Sequence, residues 1–276
     1  MFQKKISFKK LGLVIIDEQH KFGVHQRLSL SKKAILTPHQ LVMTATPIPR
    51  SLTMSAYADL DTSIIDELPP GRQTIETVAL SNARRDELIT KIKKISKEGR
   101  QIYWVCTLIE ESEALRAESA EKQFIYLTDN LRELKVVMIH GRLTKSEKEI
   151  IMSDFSKGKT NLLVATTVIE VGVNVPNASL MIVENAERLG LAQLHQLRGR
   201  VGRGSEKSAC VLLYQSPLSQ TAKERLDILR QSNDGFLIAQ KDLELRGPGE
   251  ILGTQQTGIA SMKIADIVRD SYLLKQ

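Results

Sequence analysis

The chain has 276 residues, of which 42% are hydrophobic and only 4% aromatic, and its formal net charge at pH 7 is +7. This length allows one large or two ordinary domains with aliphatic cores, and the basic balance suits a polyanionic partner without proving one. The two cysteines lie within apolar runs, which excludes a disulfide framework and indicates reduced core thiols. The longest apolar run near the start, residues 11–16, is too short to span a bilayer or direct export.

Two short apolar strands are predicted in the first part of the chain, and each has polar residues at its carboxyl end. Residues 11–16 form a continuous apolar run, typical of a parallel strand buried on both faces, and Asp-Glu-Gln-His follows at 17–20. At the carboxyl end of such a strand, an aspartate can hold Mg²⁺ through water and a glutamate can orient or deprotonate an attacking water. The second strand, 41–46, carries Thr44 and Thr46, whose hydroxyls can bond to the acidic loop.

A stiff turn, Leu-Pro-Pro-Gly-Arg at residues 68–72, predicts a domain boundary, and a regular alternation of strands and helices follows it. The predicted strands are 74–80, 101–106, 135–140, 161–166, 179–183 and 209–214. The predicted helices are 51–57, 82–97, 111–126, 193–198, 219–232, 235–245, 264–274 and one that begins at a capping box formed by Thr144 and Glu147. The alternation indicates an α/β fold with right-handed crossovers and a mainly parallel sheet.

The stretch Gln-Leu-Arg-Gly-Arg-Val-Gly-Arg at residues 196–203 is the strongest functional signal. Arg200 and Arg203 are three residues apart, and the pattern predicts that they project the same way from the start of a helix. Guanidinium groups suit phosphate because their planar fork binds two oxygens at once and keeps its charge. Gly199 and Gly202 would let the backbone approach the bound group closely. A solvated basic helix is the alternative, but the acidic motif upstream favours a phosphate site.

Together these stretches resemble the motifs of superfamily 2 helicases, and specifically those of the RecG family. The matching stretches are residues 17–20 (motif II), 44–47 (motif III), 103–113 (motif IV), 165–177 (motif V), 196–203 (motif VI) and 234–254 (the translocation hairpin). Within motif IV, Thr107 stands where the family pattern implies proline. No G-x-x-x-x-G-K-[ST] phosphate loop occurs in the sequence.

The resemblance implies a partial RecA-like lobe over residues 1–71, a RecA-like parallel-sheet helicase lobe over 72–216, and a helical hairpin with a translocation region over 217–276. It implies an ATP-dependent helicase, with ATP and Mg²⁺ as cofactors, that reverses replication forks and migrates Holliday junctions in DNA repair and recombination. The expected partner is branched DNA, with no membrane, and the motor is expected to be a cytoplasmic monomer. Because the phosphate loop and the wedge domain of the family are missing, the chain is expected to be a carboxy-terminal fragment that is inactive alone.

The resemblance also implies roles for individual residues. The expected catalytic residues are Asp17, which would also hold Mg²⁺ through water, Glu18, Gln19, His20, Arg200 and Arg203, the two arginines reaching the γ-phosphate of ATP. Residues expected to bind the nucleotide or shape its site are Gln196, Gly199, Glu170 and Gly172, and Thr44 and Thr46 would couple that site to DNA. The expected DNA contacts are Thr166, Thr167, His140, Gly141, Arg142 and Arg246.

Alternatives remain open at this level. A transcription-repair coupling translocase shares the Leu-Glu-Leu-Arg-Gly-Pro-Gly stretch of residues 243–249, and a non-catalytic nucleic-acid-binding module would need only the basic surface. His20 could be a loop histidine, His140 a strand cap and Thr166 a packing hydroxyl. An incomplete first lobe is expected to leave apolar sheet faces uncovered.

Overall fold

The computed structural model describes residues 6, 8–18, 33, 37–44, 61–67, 69, 72–107, 113–166, 175–204 and 206–246. The chain divides into two units, Asp61–Asp242 and Met1–Leu60 with Leu243–Gln276. The predicted helices at 51–57 and 264–274 lie outside the described residues. The domain boundaries inferred after residues 71 and 216 stay predictions.

The unit that contains the amino terminus has a two-stranded parallel sheet. Strand β1 (Leu13–Asp17) pairs with β2 (His39–Met43), and Asp17 lies opposite Met43. Both strands were expected from their apolar runs, although β2 begins two residues earlier than predicted. Because parallel strands end at the same edge of a sheet, the polar residues that follow β1 and β2 share that edge.

Strand β1 is buried on one face only. Val14 and Ile16 are 7% and 5% exposed, whereas Leu13 and Ile15 are 53% and 58% exposed. The predicted burial on both faces is therefore wrong, because successive strand residues point to opposite faces and only one face of this sheet is covered. The expectation that this segment leaves an apolar sheet face uncovered is confirmed.

The other unit is built on a six-stranded parallel sheet. Its strands are β3 (Ile75–Ser81), β4 (Gln101–Cys106), β5 (Val136–Ile139), β6 (Leu162–Thr166), β7 (Ala178–Val183) and β8 (Ser208–Tyr214). Their order across the sheet is β3-β8-β7-β4-β6-β5, and every neighbouring pair is parallel. This arrangement confirms the α/β fold class and all the strands predicted for this region.

Helices connect and follow these strands. They are α1 (Arg85–Lys97), α2 (Glu113–Asn130), α3 (Lys145–Ser156), α4 (Leu191–Arg198), α5 (Gln220–Gln231) and α6 (Gly235–Arg246), with short 3-10 turns at Asn82–Arg84 and Ala186–Arg188. The capping box at the start of α3 is confirmed, since the Glu147 N–H donates to Thr144 Oγ1 at 3.3 Å and the Thr144 N–H donates to the Glu147 carboxylate at 2.7 Å. None of the described helices is long and apolar enough to cross a membrane.

Both faces of the six-stranded sheet are packed, and β4 at its centre is buried along its whole length. The Trp104 side chain lies in a core with Ile92 of α1 and Leu127 of α2, and all three are fully buried. On the opposite face, the ring of Tyr103 packs edge-on against Phe155 of α3, with the ring centroids 5.0 Å apart. This two-sided burial explains why the strands are continuous apolar runs, and it leaves the strand ends and helix ends for function.

Candidate functional site

The two arginines of the glycine-rich stretch follow the end of α4. Helix α4 ends at Arg198, Gly199 is its C-cap, and Gly202 has a left-handed φ of +73°. The predicted projection of Arg200 and Arg203 from a helix start is therefore wrong, because the two glycines end the helix and turn the chain. Arg200 is half-buried and Arg203 is exposed.

The loop after α4 lies against the segment that leads into β3. The Nη2 of Arg72 donates to the Gly199 carbonyl at 3.2 Å, and the Nε of Arg203 donates to the same oxygen at 3.4 Å. A Cβ added at Gly202 would lie 2.9 Å from Ile75 Cγ1, so the two backbones approach closely. Burial, and then the positive charge of Arg203, lower the pKa of Arg72. The backbone that carries the arginines is thus held against the edge of the sheet.

Arg198 is a buried residue that connects three elements, and its exposed fraction is only 2%. Its Nη1 donates to the carbonyls of Leu229 and Ser232, at 2.8 Å each, and lies 3.3 Å from Thr77 Oγ1. Its Nη2 lies 2.9 Å from His195 Nδ1. One guanidinium therefore joins α4 to β3 and to the carboxyl end of α5, where it supplies donors to carbonyls that the helix leaves unsatisfied.

Sequence reasoning did not select Arg198, although a signal was present. Leu191, Leu194 and Arg198 are spaced at i, i+3 and i+7, so the arginine falls on the apolar stripe of α4. An arginine in that position has to find acceptors within the protein, because a buried charge without partners is costly. Its role in joining helices could have been anticipated from this spacing.

His195 is neutral in this network. A guanidinium has donors only, so His195 Nδ1 accepts from Arg198 and the ring proton lies on Nε2. Burial, followed by the positive charges of Arg198 and Arg72, lowers the pKa of His195 to about 4, and Asp234 acts in the opposite direction.

We expect the unit to lose stability as the pH falls from 6.5 towards 4. In this window the unfolded chain binds a proton at His195 and the folded chain does not, so acid favours unfolding. His195→Asn keeps an acceptor for Arg198 but cannot titrate, and it should reduce the loss. Urea unfolding at pH 7 and pH 5 can be followed by the fluorescence of Trp104, the single tryptophan. The same loss in both chains would contradict this assignment.

A second network holds the connection from β7 to α4. The Thr107 hydroxyl donates to the Glu184 carbonyl, and the Glu184 carboxylate pairs with Arg85 of α1. Arg225 of α5 donates to the carbonyls of Glu187, at 2.9 Å, and Leu189, at 3.1 Å. Thr107, at the position where the family pattern implies proline, therefore has a structural use for its hydroxyl in this chain.

The carboxyl ends of β5 and β6 bring together several of the predicted DNA contacts. These strands are neighbours, so His140 and Gly141, which follow β5, lie beside Thr166, the last residue of β6. His140 Nδ1 and Thr166 Oγ1 are buried atoms without a hydrogen-bond partner among the residues that the structure describes. Arg142 is exposed next to them in the chain. The edge thus combines unsatisfied polar atoms with a positive charge.

In the unit with the amino terminus, the acidic residues lie at the edge where β1 ends. Asp17 is exposed, and Glu18 has a left-handed φ of 53°, which is uncommon for a residue other than glycine. Thr44 follows β2 at the same edge. Carboxylate oxygens are the ligands that Mg²⁺ prefers, so Asp17 fits the magnesium role in chemistry and exposure. The uncommon backbone conformation of Glu18 also points to this end of β1 as a candidate site.

Other predicted residues can be placed only in part. Gln196 is a half-buried residue of α4, and Arg246 is the last residue of α6. The side chain of Arg246 lies outside the described part of the chain, as do the following residues: Gln19, His20, Thr46, Thr167, Glu170 and Gly172.

Comparison with known families gives two matches along the chain. The family described as "Helicase conserved C-terminal domain" matches residues 83–205, which include the sheet from β4 to β7 and the arginine pair. The family described as "ATP-dependent DNA helicase RecG, domain 3, C-terminal" matches residues 232–276. The second match begins at the residue whose carbonyl accepts from Arg198.

Curated relatives match the chain from end to end. It is 62% identical over 280 residues to the ATP-dependent DNA helicase RecG of Escherichia coli (strain K12), and 48% identical over 276 residues to that of Bacillus subtilis (strain 168). Each alignment covers 100% of this chain and 40% of the relative, so the chain spans less than half of their length.

Solved structures agree with these matches. A structure of RecG bound to a three-way DNA junction is 42% identical, with a TM-score of 0.74, and the match covers 100% of this chain and 35% of that one. The Saccharomyces cerevisiae Dbp5 L327V structure with RNA and ADP BeF3 is 15% identical, with a TM-score of 0.55 over 88% of this chain and 59% of its own, and supports the fold alone. Along its whole length, the chain therefore matches a carboxy-terminal portion of RecG helicases.

Proposed function

We propose that this chain is the carboxy-terminal part of an ATP-dependent helicase that acts on branched DNA during repair and recombination, as a cytoplasmic monomer. The observation that carries the proposal is the arginine-bearing loop at residues 199–203, held against the sheet in a chain that matches RecG relatives along its whole length. Phosphate chemistry suits such a loop, because guanidiniums on a fixed backbone offer charge and directed donors together.

In the nucleotide part of the mechanism, Arg200 and Arg203 supply positive charge to the γ-phosphate as it departs. Gln196 and Gly199 shape the backbone around them, and Glu170 and Gly172 shape the motif V loop. Asp17 would hold a magnesium ion through water, and Glu18 would orient the attacking water. When bound, Mg²⁺ would neutralise part of the negative charge of the nucleotide phosphates.

Coupling and DNA binding involve the other predicted residues. Gln19, His20, Thr44 and Thr46 pass changes at the nucleotide to the DNA site. The DNA backbone is held by the edge where β5 and β6 end, through His140, Gly141, Arg142, Thr166 and Thr167, with Arg246 at the end of α6. Contacts to phosphates carry position but no base sequence, which suits a translocating motor. Helices α5 and α6, with the loop that follows them, move duplex DNA when the motor closes.

An intact protein that contains this chain should hydrolyse ATP faster when forked DNA is added. Arg203→Ala should reduce this DNA-stimulated rate by about 100-fold or more, since it removes charge from the transition state. Arg188→Ala is a matched control, because its side chain is 53% exposed and lies in the 3-10 turn before α4. Steady-state phosphate release with forked DNA makes the comparison.

Two outcomes separate the proposal from its alternative. An unchanged rate in Arg203→Ala would remove the catalytic role of that arginine. Salt-dependent binding to forked DNA, with no ATP hydrolysis even by the intact protein, would favour the non-catalytic nucleic-acid-binding module instead.

A further inference from the structure

We infer that Arg72 is a third phosphate-binding arginine, which acts with Arg200 and Arg203 on the polyphosphate chain of a nucleotide. This inference rests on the proposed function and adds a residue from outside the glycine-rich stretch. Arg72 follows Pro-Pro-Gly in the sequence, and its N–H donates to the Pro69 carbonyl at 3.1 Å. Arg72 lies three residues before the start of β3.

The position of Arg72 is set by a series of contacts along the chain. Its guanidinium bonds to the Gly199 carbonyl, Ile75 packs against Gly202, and Thr77 lies beside Arg198. The segment from residue 72 to residue 77 therefore runs along the end of α4 and the loop that follows it. These contacts fix the backbone that carries Arg72, so Arg72 differs from a flexible surface arginine.

Arg72 and Arg203 share a neutral acceptor. Both donate to the Gly199 carbonyl oxygen, at 3.2 and 3.4 Å, so two guanidiniums converge on one point. Neither arginine forms an ion pair with a carboxylate in the described part of the chain. Two like charges near one carbonyl repel each other, and an anion with several oxygens would bond both and remove the repulsion.

The other polar groups near Arg72 and Arg203 do not neutralise the positive charge of these two arginines. Arg198 directs its donors to carbonyls of α5 and its carboxyl end, and His195 accepts from Arg198. The Asp234 carboxylate favours the charged form of His195 and accepts from the Phe236 N–H at the start of α6, at 2.8 Å. The local excess of positive charge therefore selects a multiply charged anion, and the phosphates of a nucleoside triphosphate have the matching chemistry.

Titration of this chain with inorganic tripolyphosphate by calorimetry tests the inference. Arg72→Gln keeps a hydrogen-bond donor but has no charge, so it should weaken binding by about tenfold. Arg72→Lys should retain more of the affinity than Arg72→Gln. Arg188→Gln, an exposed arginine elsewhere, should bind like the native chain. Urea midpoints from Trp104 fluorescence would show that each variant is folded.

The possible outcomes distinguish failure of the inference about Arg72 from failure of the proposed function. If Arg203→Gln weakens tripolyphosphate binding and a folded Arg72→Gln does not, Arg72 has no part in the site and the arginine pair keeps its role. If the native chain does not bind tripolyphosphate at millimolar concentrations, the inference is overturned, while DNA-stimulated hydrolysis by the intact protein still decides the proposed function.

Discussion

Replacing Arg198 by methionine is expected to lower the free energy of unfolding of the six-stranded unit by about 3 kcal/mol. Methionine fills much of the same space but has no donors, so the Leu229 and Ser232 carbonyls lose their partner at the buried junction. The loss of hydrogen bonds to a charged donor, together with burial of unsatisfied acceptors, accounts for the size of the effect. The junction joins α4 to α5, so both helices should loosen together.

Urea unfolding followed by Trp104 fluorescence measures this effect, because that side chain is fully buried in the core of the unit. Arg188→Met is the matched control: the same substitution at a side chain that is 53% exposed should change stability by less than about 0.5 kcal/mol. Equal urea midpoints for Arg198→Met and Arg188→Met would show that the buried hydrogen bonds contribute nothing measurable.

Replacing Gly202 by alanine should destabilise the same unit by about 3 kcal/mol, through two separate causes. Its φ of +73° is unfavourable for a residue with a Cβ, which costs about 1 kcal/mol. The new methyl group would also lie 2.9 Å from Ile75 Cγ1, so the loop or the β-branched side chain must shift, at a cost of about 1–3 kcal/mol. A shift of this loop would displace Arg203, so phosphate binding should weaken as well.

Gly158→Ala separates the two causes. Gly158 also has a φ of +73°, but a Cβ there would meet nothing within 4 Å, so it carries the backbone cost alone. The difference between the two urea midpoints then measures the contact with Ile75. If both variants lose the same stability, the close approach of the loop to β3 has no energetic consequence.

The periodicity of apolar residues predicted most of the fold, because the pattern within each segment agrees with the burial of that segment in the tertiary structure. The fully buried β4 is a continuous apolar run, and the α1 stripe of Leu88, Ile89 and Ile92 is buried as its spacing indicates. The capping box at Thr144 depends only on neighbours in the chain, and it was predicted for that reason. Burial of β1 was predicted wrongly, because what covers a strand is decided by distant segments.

The sequence predicted which residue types form the candidate site, but it did not predict where the fold would place them. The residues of the glycine-rich stretch were selected by their chemistry, but their place after a helix depends on Gly199 and Gly202. The proximity of His140 to Thr166 follows from strand order, which single-strand patterns do not contain. Arg72 was predicted only as part of a boundary turn, because its contact with Gly199 spans 127 positions.

By itself, the sequence determined the alternation of strands and helices, the apolar faces of the core, and the arginines and carboxylates available for phosphate and magnesium chemistry. These depend on spacing and side-chain type, which are local properties. Only the tertiary structure decided that Arg72 and Arg203 meet at the Gly199 carbonyl and that Arg198 joins α4 to the end of α5. Such contacts depend on which strands become neighbours, and that is set by packing of the whole sheet.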